Sequence, residues 1–201
     1  ANAKRLLSKV MEKEGPKSNN EQQLKIKLLT VPSLLNEAEK IKKYWEQLGK
    51  KSDFVLVEMG GTVGEYQNIL FFESARRLKI KYPNQVFFVH VVYLPIPSSI
   101  GEMKSKPAQQ SITSLNSLGI FPDFVVCRSE KSVDSRRREK IALIASLPEE
   151  RIFSAPDVNS IYKVPLILKE QNFDKILLKA INLNFKKKNL KEWSKAMERI
   201  S

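Results

Sequence analysis

The chain has 201 residues, 42% of them apolar and 8% aromatic. That is enough for one α/β domain with a sizeable core, and it excludes a disordered polypeptide. Charge is the deviation: 35 Lys and Arg face 22 Asp and Glu, a formal +13. Such a balance favours polyanionic partners, whether nucleoside triphosphates, RNA or an acidic protein surface. A solvated, lysine-rich surface accounts for the same number. Cys127 is the single cysteine, which excludes an intrachain disulfide and a cysteine-based metal site. No run reaches the length of a membrane span and the N-terminus lacks the apolar core of a signal peptide, so a cytoplasmic protein is expected, with an organelle matrix as the alternative. The first residue is Ala1 rather than Met, which suggests processing or truncation upstream.

In chain order, Leu6, Leu7, Val10 and Met11 predict a helix over 3–13, closed by Gly15-Pro16. Leu24 to Leu29 alternates with Lys25 and Lys27, the pattern of a strand near a sheet edge. Pro32-Ser33 opens a helix whose apolar stripe is Leu34, Leu35, Ala38, Ile41, Trp45 and Leu48. Phe54–Glu58 is predicted as the central strand, 69–82 as a helix with a basic outer face, and 86–93 as a continuous apolar strand. Pro95, Pro97 and Gly101 place a loop at that strand's carboxyl end. Beyond it come a helix over 111–118, a strand over 124–127, a helix over 136–145 and a short strand at 152–153. Helices follow over 161–170, 173–181 and 189–200. Alternation of strand and helix predicts a parallel sheet with helices on both faces, in a single domain over 1–201. Lys186-Lys187-Lys188 reads as a solvated turn.

The densest chemistry lies in Val57-Glu58-Met59-Gly60-Gly61-Thr62-Val63-Gly64. An apolar run delivers a carboxylate to a sheet edge, and the glycines let phosphates or a metal approach the backbone. A second polar segment, Glu102-Met103-Lys104-Ser105-Lys106-Pro107-Ala108-Gln109-Gln110-Ser111, follows the 94–101 loop. Together with Pro122-Asp123-Phe124-Val125-Val126-Cys127-Arg128-Ser129 and Asp157-Val158-Asn159-Ser160-Ile161-Tyr162, these segments match, in order and spacing, the synthetase (amidoligase) domain of CTP synthase. The chain resembles that family over nearly its whole length.

The resemblance implies a P-loop, dethiobiotin-synthetase-like Rossmann-type fold. It also implies the family's reaction, in which ATP phosphorylates the uracil O4 of UTP and ammonia displaces the phosphate to give CTP. By the same resemblance Glu58 is a ligand of Mg2+ beside the ATP phosphates. Lys104, Lys106, Gln109 and Lys140 hold the pyrimidine nucleotide, and Arg128, Asp157 and Val158 border the adenine of ATP. These residue types suit those tasks: magnesium takes hard oxygen donors, ammonium groups neutralise phosphates, and an amide bonds a base edge. Each also has a plain reading. Glu58 serves as a structural carboxylate, Lys104 and Lys106 as exposed lysines before a helix-starting proline, and Arg128 as a surface ion-pair residue. His90, inside an apolar run, reads as a core histidine, and Cys127 as a buried strand end. The family's homo-oligomers place the pyrimidine site between subunits.

Departures from the family pattern carry as much information. No G-x-x-x-x-G-K-[ST] loop occurs, for there are seven glycines and none precedes Gly15. The second magnesium carboxylate is missing as well. Glu65-Tyr66-Gln67 keeps one acid where the family has Asp-Ile-Glu, Ala108-Gln109-Gln110 replaces Thr-Gln-His, and Ser33 replaces a histidine. Glu14-Gly15-Pro16-Lys17-Ser18 also departs from the pattern. The expectation is a synthetase domain incomplete at its N-terminus and inactive alone, because phosphoryl transfer rests on positioning and neutralising phosphates. The alternative is a degenerate homologue serving as a structural or regulatory subunit of a larger assembly that can include RNA. Either way a sheet lacking a strand exposes an edge, which predicts a protein partner that covers it. No aromatic-plus-basic motif for stacking RNA bases stands out.

Overall fold

Phe124-Val125-Val126-Cys127 is apolar on both sides of a strand, and such a run is stable only where both sheet faces are covered. The computed structural model, which describes residues 31–50, 52–183 and 190–198, places it at the centre of a three-stranded parallel sheet. In chain order the elements are α1 (Val31–Gly49), α2 (Ile69–Lys81), β1 (Val89–Tyr93), α3 (Lys106–Ser117), β2 (Phe124–Ser129), α4 (Ser135–Ala145), β3 (Ile152–Pro156), α5 (Val164–Glu170), α6 (Phe173–Ala180) and α7 (Lys191–Glu198). Strand order is β1-β2-β3, with Val91 opposite Val126 and Val126 opposite Phe153. All of this lies in the compact unit that runs from Val31.

Alternation sorts the strand side chains onto two faces. On one, Val92, Val125, Cys127 and Ile152 join Ala108 and Ile112 of α3 and Ile141, Ala142 and Ala145 of α4. On the other, Phe124, Val126, Phe153 and Ala155 meet Leu168 of α5 and Phe173, Ile176 and Leu177 of α6. Phe173 stands edge-on to Phe153, with ring centroids 4.8 Å apart. The predicted parallel sheet with helices on both faces is therefore present.

Helix α2 packs on α1, where the buried Ser74 hydroxyl donates to Ala38 O and Trp45 stacks on Phe71. A small cluster ties it to the sheet: Phe72 with Leu115 and Ile120, flanked by Met59, Val63 and Phe88. The Lys79 ammonium donates to Val86 O and to Asp123, whose carboxylate also accepts from Phe88 N.

Several expectations change. Phe54–Glu58 forms no strand: these residues are unpaired and exposed, Leu56 at 96%. A strand is held by its ladder, and no described residue pairs with this segment. The 86–93 strand shrinks to Val89–Tyr93, because Lys79 and Asp123 take the polar groups of Val86 and Phe88 outside the ladder. Helix α3 starts earlier than predicted, at Lys106, since Pro107 fits a first turn where its missing N–H costs nothing. β2 and β3 each run longer than predicted, to Ser129 and Pro156. The predicted helix over 3–13, the strand over 24–29 and the two ends of the 189–200 helix lie outside the described residues. Among the described residues no helix is long and apolar enough to cross a membrane.

Candidate functional site

The loop from β1 to α3 is folded on its own backbone. Leu94 N bonds Arg128 O, Gly101 N bonds Pro97 O, and Lys104 N bonds Pro95 O, each at 2.8 Å. Gly101 takes φ +65°, a left-handed turn that a side chain resists. Met103 then buries itself in the core beside Val92 and Ile112, which anchors the loop and leaves Lys104 to the solvent side. On the next crossover Asp134 caps α4 by accepting from Arg137 N at 2.9 Å.

These two arrangements bring the first turns of α3 and α4 together around a cleft of about 330 Å³. Its lining is Glu102, Met103, Lys104, Ser105, Lys106, Arg136, Arg137 and Lys140. Lys104 is paired with Glu102 at 2.9 Å, and Arg137 with Glu102 at 2.8 Å and with Asp134. Lys106, Arg136 and Lys140 make no ion pair or side-chain hydrogen bond among the described residues. The Lys104 ammonium, with Arg137 and Arg136 behind it, holds the Glu102 carboxyl below its ordinary range, so it stays ionised at neutral pH. Five cations against one carboxylate, at two helix N-termini, make a place where several phosphate oxygens can be neutralised at once.

Three of the four residues predicted to hold a pyrimidine nucleotide, Lys104, Lys106 and Lys140, thus line one cleft. Gln109 does not line it; one turn into α3, its amide donates to Ser105 Oγ at 3.0 Å. Arg136 and Arg137 were not anticipated. The available signal was the run Arg136-Arg137-Arg138, in which Arg136 lies four residues before Lys140 and so on the same helix face.

Arg128 and Asp157 meet at the carboxyl ends of β2 and β3, paired at 3.3 Å with both side chains exposed. Asp157 N bonds Ser129 O, and Val158 follows half-buried. Glu58 stands apart on the exposed unpaired segment. Among the described residues no group of three or more His, Cys, Asp or Glu side chains forms a metal cage. A lone exposed carboxylate fits Mg2+ only as one ligand of an ion brought in by nucleotide phosphates.

The glycine loop is closed on its own side chains. Thr62 N donates to Glu65 Oε1 at 2.8 Å, Gln67 donates to the same carboxylate, and the Asn68 amide bonds Gly60 O. Gly61 takes φ +89°, a conformation that a side chain resists, and a Cβ there would push aside the Glu65 carboxylate that closes the loop. The Thr62 N–H, helped by Gln67, lowers the Glu65 pKa. His90 is half-buried with its Nε2 at 2.9 Å from Ser111 Oγ, and burial lowers its pKa. Cys127 is fully buried and its thiol is pushed up to about 12. Neither faces the cleft.

Comparison with known proteins identifies the family. The profile described as "CTP synthase N-terminus" matches residues 3–183. The CTP synthase of Aquifex aeolicus is 38% identical over 167 residues, which is 83% of this chain and 32% of that protein. That of Pyrococcus horikoshii is 40% identical over 167 residues, 83% of this chain and 31% of the relative. The CTP synthase of Pyrobaculum calidifontis is 38% identical over 172 residues, 86% of this chain and 32% of the relative. The chain spans about a third of the length of these relatives.

Proposed function

Because the chain belongs to the CTP synthase N-terminus family, we propose that the cleft at the starts of α3 and α4 receives the triphosphate of a pyrimidine nucleotide, UTP or CTP. The observation that carries this reading is the convergence of Lys104, Lys106 and Lys140 with Arg136 in one cleft whose only carboxylate is already paired. Lys106, Arg136 and Lys140 have no other partner among the described residues, and Lys104 can exchange Glu102 for a phosphate oxygen. Gln109 stands one turn deeper in α3, where its amide oxygen is left to meet a base edge.

ATP, in this reading, lies against the Arg128–Asp157 pair and Val158, at the carboxyl ends of β2 and β3, where open α/β sheets take ligands. Glu58 serves as one ligand of nucleotide-borne Mg2+, an ion that neutralises charge on the transferring phosphoryl group when bound. The family reaction is ATP-dependent amination of UTP to CTP. These 201 residues supply no phosphate loop of the G-x-x-x-x-G-K-[ST] kind, and the closed glycine loop spends its Thr62 N–H on Glu65. The chain alone is therefore expected to bind UTP and make no CTP. Incubation with UTP, Mg-ATP and ammonium, read by chromatography of the nucleotides, tests this; CTP formation at a rate of about 1 per second, ordinary for an enzyme, would contradict it.

A second reading, a structural or regulatory subunit, rests on a different observation. Val91 shares a face with Val126, yet Val91 is 56% exposed while Val126 is 8%. α5 and α6 cover β2 and β3 on that face, and Val89, Val91 and Tyr93 of β1 stay bare, as does Phe54–Val57. A protein surface, from another copy of the chain or from a larger assembly, would bury this strip. The formal +13 charge suits an assembly that contains RNA.

A further inference from the structure

Arg137 lines the cleft, but its guanidinium is spent on the protein. Nε donates to Met103 O at 2.7 Å, one terminal nitrogen pairs with Glu102 Oε1 at 2.8 Å, and the other with the Asp134 carboxylate. Its backbone N–H is engaged as well, by the Asp134 cap. Three acceptors in three directions use the fixed fork of a guanidinium; an ammonium has no such geometry. Two of those acceptors belong to the loop before α3 and the third belongs to the start of α4, so the bonds span 34 and 35 residues of sequence. Glu102 is shared with Lys104, and the loop then turns directly into Lys106.

We infer that Arg137 is a positioning residue: it clamps the Glu102–Ser105 loop onto the first turn of α4 and so sets the spacing of Lys104 and Lys106 against Arg136 and Lys140. Its part in anion binding is geometric, and Arg136 beside it supplies charge. The inference rests on the cleft being the triphosphate site. Loss of the clamp leaves Glu102 held by Lys104 alone, free to compete with an incoming anion for the remaining cations, and the cleft loses its geometry.

Arg137→Lys separates geometry from charge, because formal charge is unchanged. The full chain and this variant are titrated calorimetrically with inorganic tripolyphosphate, and amide hydrogen exchange is followed over residues 101–106 without ligand. Binding by the variant is expected to be about tenfold weaker or worse, the scale of one or two lost charge-assisted bonds. Exchange over 101–106 is expected to quicken while the sheet strands and the melting temperature hold. A variant that binds within about twofold of the parent, or that exchanges at the parent's rate over 101–106, overturns the inference. Absence of tripolyphosphate binding by the parent chain counts against the triphosphate reading itself; the exchange comparison, made without ligand, still decides the clamp.

Discussion

His90 sits on β1 with its ring turned toward α3, bonded to the Ser111 hydroxyl. Burial disfavours its charged form, so its pKa in the folded chain lies below the ordinary value of about 6.5. As pH falls through that value the unfolded chain takes up the proton first, and stability falls with it. The carboxylates act lower. Glu73, held down by Arg76 and Arg77, Glu102, held down by Lys104, and Asp134, held down by the Arg137 N–H, lose their contribution only below the ordinary carboxylate range. Between pH 7.5 and 5.5 the melting temperature of the chain is therefore expected to decline, and His90→Gln, which keeps a nitrogen for Ser111, is expected to flatten that decline. Melts that slope equally in both proteins would show that His90 is not the group responsible. The burial of Cys127 was legible in the sequence, because it closes an apolar strand run; His90, read there as a core residue, is half-buried on β1, at the edge of the described sheet. The place of Arg137 was not legible: its role depends on a loop more than thirty residues upstream, and spacing along one helix carries no sign of that contact.

At the scale of elements, the helices were legible where an apolar stripe repeats at helical spacing, as in α1, α4 and α6, and the buried strands where apolar runs are short and continuous. Element ends were set by chemistry the pattern does not show: the Asp134 cap starts α4 at Ser135, and Ser146 in left-handed conformation ends it. Phe54–Glu58 marks the limit of strand prediction. The residues have every preference of a buried strand, but preference becomes structure only through hydrogen bonds to a neighbour, and among the described residues the outer edge of β1 is unpaired too. Two exposed apolar tracts on either side of α2 are more than a solvated protein ordinarily leaves uncovered. The full chain is expected to self-associate or to bind a hydrophobic dye, and Val91→Lys to reduce either effect. Because Val91 is more than half exposed, that change is expected to cost folding no more than about 0.5 kcal/mol. Light scattering that finds a monomer at tens of micromolar, without dye binding, would remove the case for a covered strip.

Among the described residues the cations are used in different ways. On α2, Arg76, Arg77, Lys79 and Lys81 are each paired with Glu73, Asp123 or Glu46, and so offer little to an outside anion. Around the cleft Glu102 serves Lys104 and Arg137, while Lys106, Arg136 and Lys140 have no ion-pair partner among the described residues. A net charge read from composition thus says less than which cations share one cleft. The family was legible because its motifs are long and keep their order; Lys104, Lys106 and Lys140 share one cleft, while Glu58 lies on the exposed segment before the glycines and Arg128 pairs with Asp157 at the sheet's carboxyl edge. The most direct measurement is a calorimetric titration of the full chain with UTP at low and high salt, beside the double variant Lys104→Ala, Lys140→Ala. The cleft account requires binding by the parent that weakens as salt rises and disappears in the double variant. No binding by the parent, or equal binding by both proteins, would contradict it.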